Sequence, residues 1–125
     1  MLETVYSALI EDAELVALVG RVKDESGDVT DIPAIFHAMP IAENVFPAVS
    51  FFVKAEEDRV FADDVCVAKK IGVQLDVFAK SRATAVFEAA DRVMRRLGFV
   101  NSKAESLPEP QTQHIAAVYG IVVFE

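Results

Sequence analysis

Cysteine, glycine and tryptophan are scarce in this sequence of 125 residues. It contains one cysteine, Cys66, five glycines and no tryptophan. A single cysteine excludes an intrachain disulfide. Because Cys66 lies in the apolar run Val65–Ala68, we expect it to be a small buried hydrophobic residue. The five glycines form no glycine-rich phosphate loop, so the sequence carries no motif of that kind for a nucleotide.

Long hydrophobic runs are also missing. No apolar stretch approaches the ~20 residues that a membrane-spanning helix needs. The opening residues Met1–Thr4 contain no basic region followed by an apolar core, so we expect no signal peptide. These features predict a soluble cytosolic protein.

Basic residues are outnumbered by acidic ones. The chain has 12 lysines and arginines against 20 aspartates and glutamates, a formal net charge of −8. Such a surface repels duplex DNA and anionic membranes, because nucleic-acid affinity comes mainly from cations that neutralise phosphates. The charge is compatible with simple solubility. Solubility is the commoner explanation, but the charge also suits a protein that surrounds DNA without trapping it.

Hydrophobic residues, in contrast, make up 53% of the chain. A chain of this length and composition forms one domain, here residues 1–125, with a sizeable core. The apolar surplus is explained either by a well-filled core or by contacts between subunits.

Three segments have the spacing of amphipathic helices. The first covers Leu2–Ile10. Asp12 is placed to cap a second over Leu15–Val19, which ends at Gly20. Ser81 is placed to cap a third that runs to about Leu97, with Gly98 as its stop.

Between and after the helices lie apolar segments typical of strands. The clearest is Val65–Ala79, in which Ile71, Val73, Leu75 and Val77 alternate with mostly polar residues. The others are Ile35–Met39, Pro47–Val53, Phe99–Leu107 and His114–Phe124. We interpret Lys23–Asp31 as a loop, and Glu56–Asp64 as the arm or loop of a hairpin, with a short helix as the alternative.

This order of elements predicts an α+β fold. We expect an antiparallel or mixed sheet of about four to five strands, with two to three helices packed mainly on one face. The step from strand to helix to strand through Ser81–Gly98 is a candidate right-handed crossover.

Residues that could carry chemistry are few. Cys66, His37 and His114 are the ingredients for nucleophilic catalysis, but no signature joins them. The acidic residues of the 56–64 segment lack the spacing of a calcium-binding loop, so a solvated acidic loop is favoured. Those acidic residues are Glu56, Glu57, Asp58, Asp63 and Asp64. We therefore predict no enzyme, no cofactor and no metal site.

Several segments resemble one protein family. They are Ile71–Ser81 with the following helix, the opening Leu2–Tyr6, Leu15–Gly20 and Phe46–Phe51. Together they are similar to small tail-completion proteins of tailed bacteriophages and prophages, described as tail terminators or head–tail joining proteins. The resemblance covers most of the chain, and the strand Val73–Ser81 is its most specific part. The 56–64 segment and the region after Pro110 are the least diagnostic.

The resemblance implies a structural protein that assembles into a ring, commonly a hexamer, in the bacterial cytoplasm and enters the virion. Its implied partners are copies of itself, the tail tube and the head connector, with DNA passing through unbound. Under this hypothesis the acidic residues named above face the lumen or a partner protein. The basic residues Arg92, Arg95 and Arg96 would form ion pairs between subunits. The alternative is a small-ligand or regulatory binding module with a ferredoxin-like arrangement.

Overall fold

The fold was described from a computed structural model, which covers residues 2–37, 45–62, 65–108 and 112–124. Within these residues the chain forms three helices and seven strands. In chain order they are α1 (Leu2–Glu11), α2 (Ala13–Leu18), β1 (Arg21–Lys23), β2 (Val29–Pro33), β3 (Ile35–His37), β4 (Ala48–Ala62), β5 (Val65–Ala79), α3 (Ala83–Arg96), β6 (Val100–Pro108) and β7 (Gln113–Phe124).

Five strands form the main sheet in the spatial order β3-β4-β5-β7-β6. Strand β3 pairs with β4 in parallel, and the other neighbours are antiparallel. The sheet is therefore mixed, and the predicted α+β class is confirmed. Strand β7 lies between β5 and β6, so the crossover through α3 passes over it.

The helices cover one face of this sheet. Because side chains alternate along a strand, Val73, Leu75 and Val77 of β5 all point to that face, where they are fully buried. Val86 and Val93 of α3 join them in the same core cluster. Burying side chains of this kind contributes about 1.5–3 kcal/mol each, so their packing against α3 stabilises the fold.

The interpretation of Lys23–Asp31 as a loop is wrong at both of its ends. Strands β1 and β2 pair there as a separate two-stranded antiparallel sheet. Asp24 Oδ1 accepts hydrogen bonds from the N–H groups of Ser26 and Asp28, both at 2.9 Å, and Gly27 adopts a φ of 84°. The strands are short and polar, so they show none of the apolar alternation that identifies a strand in a sequence.

The 56–64 segment is strand as far as its described residues go. In the β4–β5 hairpin Glu56 pairs with Ile71 and Ala62 pairs with Val65. The hairpin-arm interpretation is therefore correct for residues 56–62, and the short-helix alternative is wrong there. Two strands of 15 residues each make this hairpin the longest feature of the sheet.

Helix caps follow the prediction at α2 but not at α3. Asp12 accepts a hydrogen bond from the N–H of Leu15 at 2.9 Å, as expected of an N-cap. The N-cap position of α3 is Arg82, not Ser81, and its φ of 59° is left-handed. The N–H of Ala83 instead donates to Oε1 of Gln113 at 3.1 Å. A side chain from β7 thus performs the capping that the sequence assigned to a local serine.

Candidate interaction surfaces

The predicted acidic residues fall on the distal part of the β4–β5 hairpin. Glu56 is exposed on β4, and Glu57 and Asp58 follow it in the same strand. Asp63 and Asp64 lie outside the described residues. The acidic residues that are described thus belong to a paired strand rather than a loop. Their role in facing a lumen or a partner remains a prediction.

The predicted basic residues lie on the exposed side of α3, each beside a carboxylate of the same chain. Arg92 contacts Glu14, and Arg96 lies 3.3 Å from Asp12, so both link α3 to the region of α2. Arg95 pairs with Asp91 of its own helix at 2.8 Å. An ion pair with another subunit would have to compete with these internal partners. Such pairs remain a prediction.

A polar cluster occupies the sheet face opposite the helices. His114 Nε2 lies 3.0 Å from Asp76 Oδ1, and Gln74 Nε2 donates to both carboxylate oxygens at 3.2 Å. The ring of Phe78 stacks on the imidazole at 4.1 Å between centroids. Asp76 is only 8% exposed, so the neighbouring donors compensate for the burial of its charge. The polar positions of β5 were visible in the sequence, but their pairing with His114 was not.

This cluster cannot use the cysteine of the chain as a nucleophile. His114 pairs across the sheet with Phe78 at one end of β5, whereas Cys66 lies at the other end. At about 3.4 Å per residue the separation along the strand is roughly 40 Å. His37 of the edge strand β3 stacks on Phe51, and Phe51 pairs with Leu75, so His37 also lies far along the sheet from Cys66. The hypothetical cysteine–histidine site therefore does not form.

A buried tyrosine connects the core to the arginine face of α3. Tyr119 donates its hydroxyl hydrogen to Asp91 Oδ1 at 2.6 Å, and Asp91 also pairs with Arg95. Burial raises the pKa of Tyr119 far above its usual value, and the hydrogen bond to Asp91 raises it further. Sequence analysis missed this contact, because nothing local relates a tyrosine in the last strand to an aspartate in a helix.

An open groove crosses the sheet face opposite the helices, from β4 over β5 and β7 to the start of β6. Val100, the first residue of β6, pairs with Gly120, and no described strand pairs with the outer edge of β7 beyond that point. The groove has a volume of about 440 Å³. We call it the edge groove. The residues that line it include Lys54, Lys70, Gly72, Val100, Gly120 and Val122.

Neither a metal site nor a membrane-spanning helix is found among the described residues. No group of three or more histidine, cysteine or acidic side chains is arranged to hold a metal ion. In the same part of the chain no helix has the length and apolar character to cross a membrane.

Comparison with known proteins gives a likeness of fold but no match of sequence. No protein-family model matches the chain, and no curated protein matches it by sequence. Among solved structures, the chain is similar to a chain in the virion of a native gene transfer agent particle, with a TM-score of 0.62. The alignment covers 97% of this chain and 92% of the other, at 18% sequence identity. The likeness is one of fold.

Proposed function

We propose that this protein is a structural subunit of a phage or prophage particle. Within that class, we propose a tail terminator or head–tail joining role, in which copies assemble into a ring at the end of the tail tube. The observation that carries the proposal is the fold likeness to a virion chain, which spans nearly the whole of both chains. The finer role is supported by the resemblance of the sequence motifs to tail-completion proteins.

The surface of the sheet supports assembly. Val100, Val122 and Phe124 are 67%, 47% and 74% exposed, and all lie at the β6–β7 end of the sheet. Exposed apolar residues beside an unpaired strand edge favour pairing with another chain. The same feature would be a liability in a protein that works as a monomer.

The charge supports a role around DNA. At a net charge of −8 the protein has little affinity for phosphates, so DNA can pass through a ring without being held. In this proposal the acidic residues of the β4–β5 hairpin face the lumen or a neighbouring protein. The tail tube and the head connector are the proposed partners, and assembly takes place in the bacterial cytoplasm.

The test is the mass of the purified chain in solution. Light scattering across a concentration series should give a multiple of the monomer mass, commonly six, and negative-stain images of that fraction should show closed rings with an open centre. A chain that stays monomeric at all concentrations and also fails to bind purified tail tubes would contradict the proposal.

The volume of the edge groove favours a second candidate function, that of a small-ligand binding module. About 440 Å³ falls within the usual range for ligand pockets. A strictly monomeric chain whose melting temperature rises with a small anionic ligand, and whose response is lost in Lys70→Ala, would favour that alternative.

A further inference from the structure

Two surfaces of the molecule are different and complementary. One is the edge groove, which crosses the main sheet from Lys54 of β4 to Val100 of the edge strand β6. The other is the two-stranded sheet of β1 and β2, residues 21–33, which we call the acidic arm. The arm leads directly into β3, the strand at the opposite edge of the main sheet.

The acidic arm packs mainly on itself and exposes both apolar and charged side chains. Val29 and Ile32 are 68% and 53% exposed. Asp28 directly precedes Val29, Asp31 follows it by two residues, and both aspartates are exposed as well. Side chains alternate along a strand, so Val29 and Asp31 point to the same side of β2. The arm thus presents an apolar side chain accompanied by negative charge.

The edge groove offers the opposite charge. Lys54 and Lys70 are exposed, and neither forms an ion pair within the described part of the chain. The three arginines of α3, in contrast, all have carboxylate partners. In a chain with an excess of acidic residues, two unpaired lysines beside the exposed valines Val100 and Val122 favour an acidic, partly apolar segment as occupant.

The arm of the same molecule cannot fill its own groove. The groove lies on the sheet face opposite the helices, because Lys70 and Gly72 alternate with the buried Ile71 and Val73 of β5. The arm lies on the helical side, where its Val22 and Ile32 line a cavity together with Tyr6 of α1. The arm of a second copy can reach the groove.

We propose that the acidic arm of one copy docks in the edge groove of the next. Asp28 and Asp31 would face Lys54 and Lys70, and Val29 would pack against Val100 and Val122. A contact between two different surfaces joins subunits head to tail, and it closes into a ring when the rotation between them is suitable. The inference rests on the proposed function and names the contact that joins neighbouring subunits.

Reversing the charges tests this contact. The groove variant carries Lys54→Glu and Lys70→Glu, and the arm variant carries Asp28→Lys and Asp31→Lys. Asp24 is left intact because its carboxylate holds the turn of the arm. Each variant alone should associate more than about tenfold more weakly than the wild type, because like charges then meet at every contact.

Rescue distinguishes the contact from a general effect of charge. A chain with all four substitutions restores opposite charges in the reverse sense and keeps the net charge of −8. It should assemble like the wild type. An equimolar mixture of the groove and arm variants should also assemble, with the two variants alternating around the ring.

Matched controls carry the same change in charge elsewhere. Lys80→Glu with Arg82→Glu, and Glu11→Lys with Glu88→Lys, alter exposed residues outside both surfaces. These variants should assemble normally. If they disrupt assembly as strongly as the groove and arm variants, the effect is one of net charge and the proposed contact is wrong.

Failure of the contact and failure of the ring lead to different results. If the wild type forms rings but neither the four-substitution chain nor the mixture recovers assembly, the proposed arm–groove contact is wrong. The proposal of a ring is then unaffected. If the wild type stays monomeric, NMR decides the contact on its own. The amide signals of Gly72 and Gly120 in labelled arm variant should shift when unlabelled groove variant is added to millimolar concentration, and unchanged signals would overturn the contact.

Discussion

At the scale of single residues, the most informative contact is the one between Tyr119 and Asp91. The tyrosine side chain is fully buried, and its hydroxyl hydrogen bond at 2.6 Å ends on a carboxylate that Arg95 also holds. A polar group therefore reaches from the core to the charged face of α3 with every partner satisfied. Contacts of this kind orient a helix on a sheet more specifically than apolar packing does.

This contact predicts a dependence of stability on alkaline pH. The unfolded tyrosine loses its proton near pH 10, whereas the raised pKa keeps folded Tyr119 protonated. The folded state then binds more protons, so the free energy of unfolding falls above pH 10 by up to about 1.4 kcal/mol per pH unit. Tyr119→Phe removes this contribution. We expect the variant to be about 1–2 kcal/mol less stable than the wild type at pH 7, and the difference to shrink and reverse by about pH 12.

Urea unfolding at pH 7, 10, 11 and 12 measures this effect. Tyr6→Phe is the matched control at pH 7, because no hydrogen bond to the Tyr6 hydroxyl is found among the described residues. At pH 7 the Tyr6→Phe substitution should lower the free energy of unfolding much less than Tyr119→Phe does. Parallel pH profiles for Tyr119→Phe and the wild type would contradict the prediction.

At the scale of elements, the start of α3 depends on a residue distant in sequence. Because Gln113 Oε1 accepts from the N–H of Ala83, Gln113→Ala should lower the free energy of unfolding by about 1 kcal/mol. Ser81→Ala is the matched control and should change it by less than about 0.3 kcal/mol, because no described hydrogen bond involves the serine side chain. Chemical denaturation of both variants checks this. Equal losses would indicate that Ser81 caps the helix after all.

The junction of α1, α2 and α3 depends on Asp12, which caps α2 and also pairs with Arg96. Asp12→Ala should cost about 1–2 kcal/mol, because it removes both contacts. Arg96→Ala removes only a largely exposed ion pair and should cost about 0.5 kcal/mol or less. Thermal unfolding of the two variants separates the effects.

Assembly measurements on Arg96→Ala give a second result. If the mass of the assembly falls while the thermal stability of the chain is unchanged, Arg96 has the intersubunit role predicted from the sequence. If only stability changes, its partner is Asp12 of its own chain.

At the scale of the whole molecule, the proposed assembly joins a negatively charged arm to a positively charged groove. Exposed ion pairs are screened by salt, with a Debye length of about 10 Å at 0.1 M and about 3 Å at 1 M. The apparent dissociation constant for assembly should therefore rise as sodium chloride increases from 50 mM to 1 M. Sedimentation velocity at constant protein concentration measures it. Assembly that strengthens with salt would indicate an interface dominated by apolar burial.

Local patterns in the sequence accounted for much of the fold. The twofold alternation of β5 and the helical spacing of α3 depend only on neighbours a few residues apart, so they predicted element type and the buried face correctly. The failures have the same origin. The β1–β2 arm is too short and too polar to produce a period, and Ser81 has the chemistry of a cap but not the geometry.

The sequence by itself determined that this chain is acidic, that its elements follow an α+β pattern, and that it carries no recognisable catalytic motif. Only the tertiary structure decided which residues meet: Gln113 with the start of α3, His114 with Asp76, and each arginine of α3 with its own carboxylate. It also decided that Gly72 of β5 pairs with Gly120 of β7, which leaves room for the edge groove on the sheet. The reason is physical. Periodicity is a local property of the chain, whereas strand register and side-chain pairing depend on residues that folding brings together from distant positions.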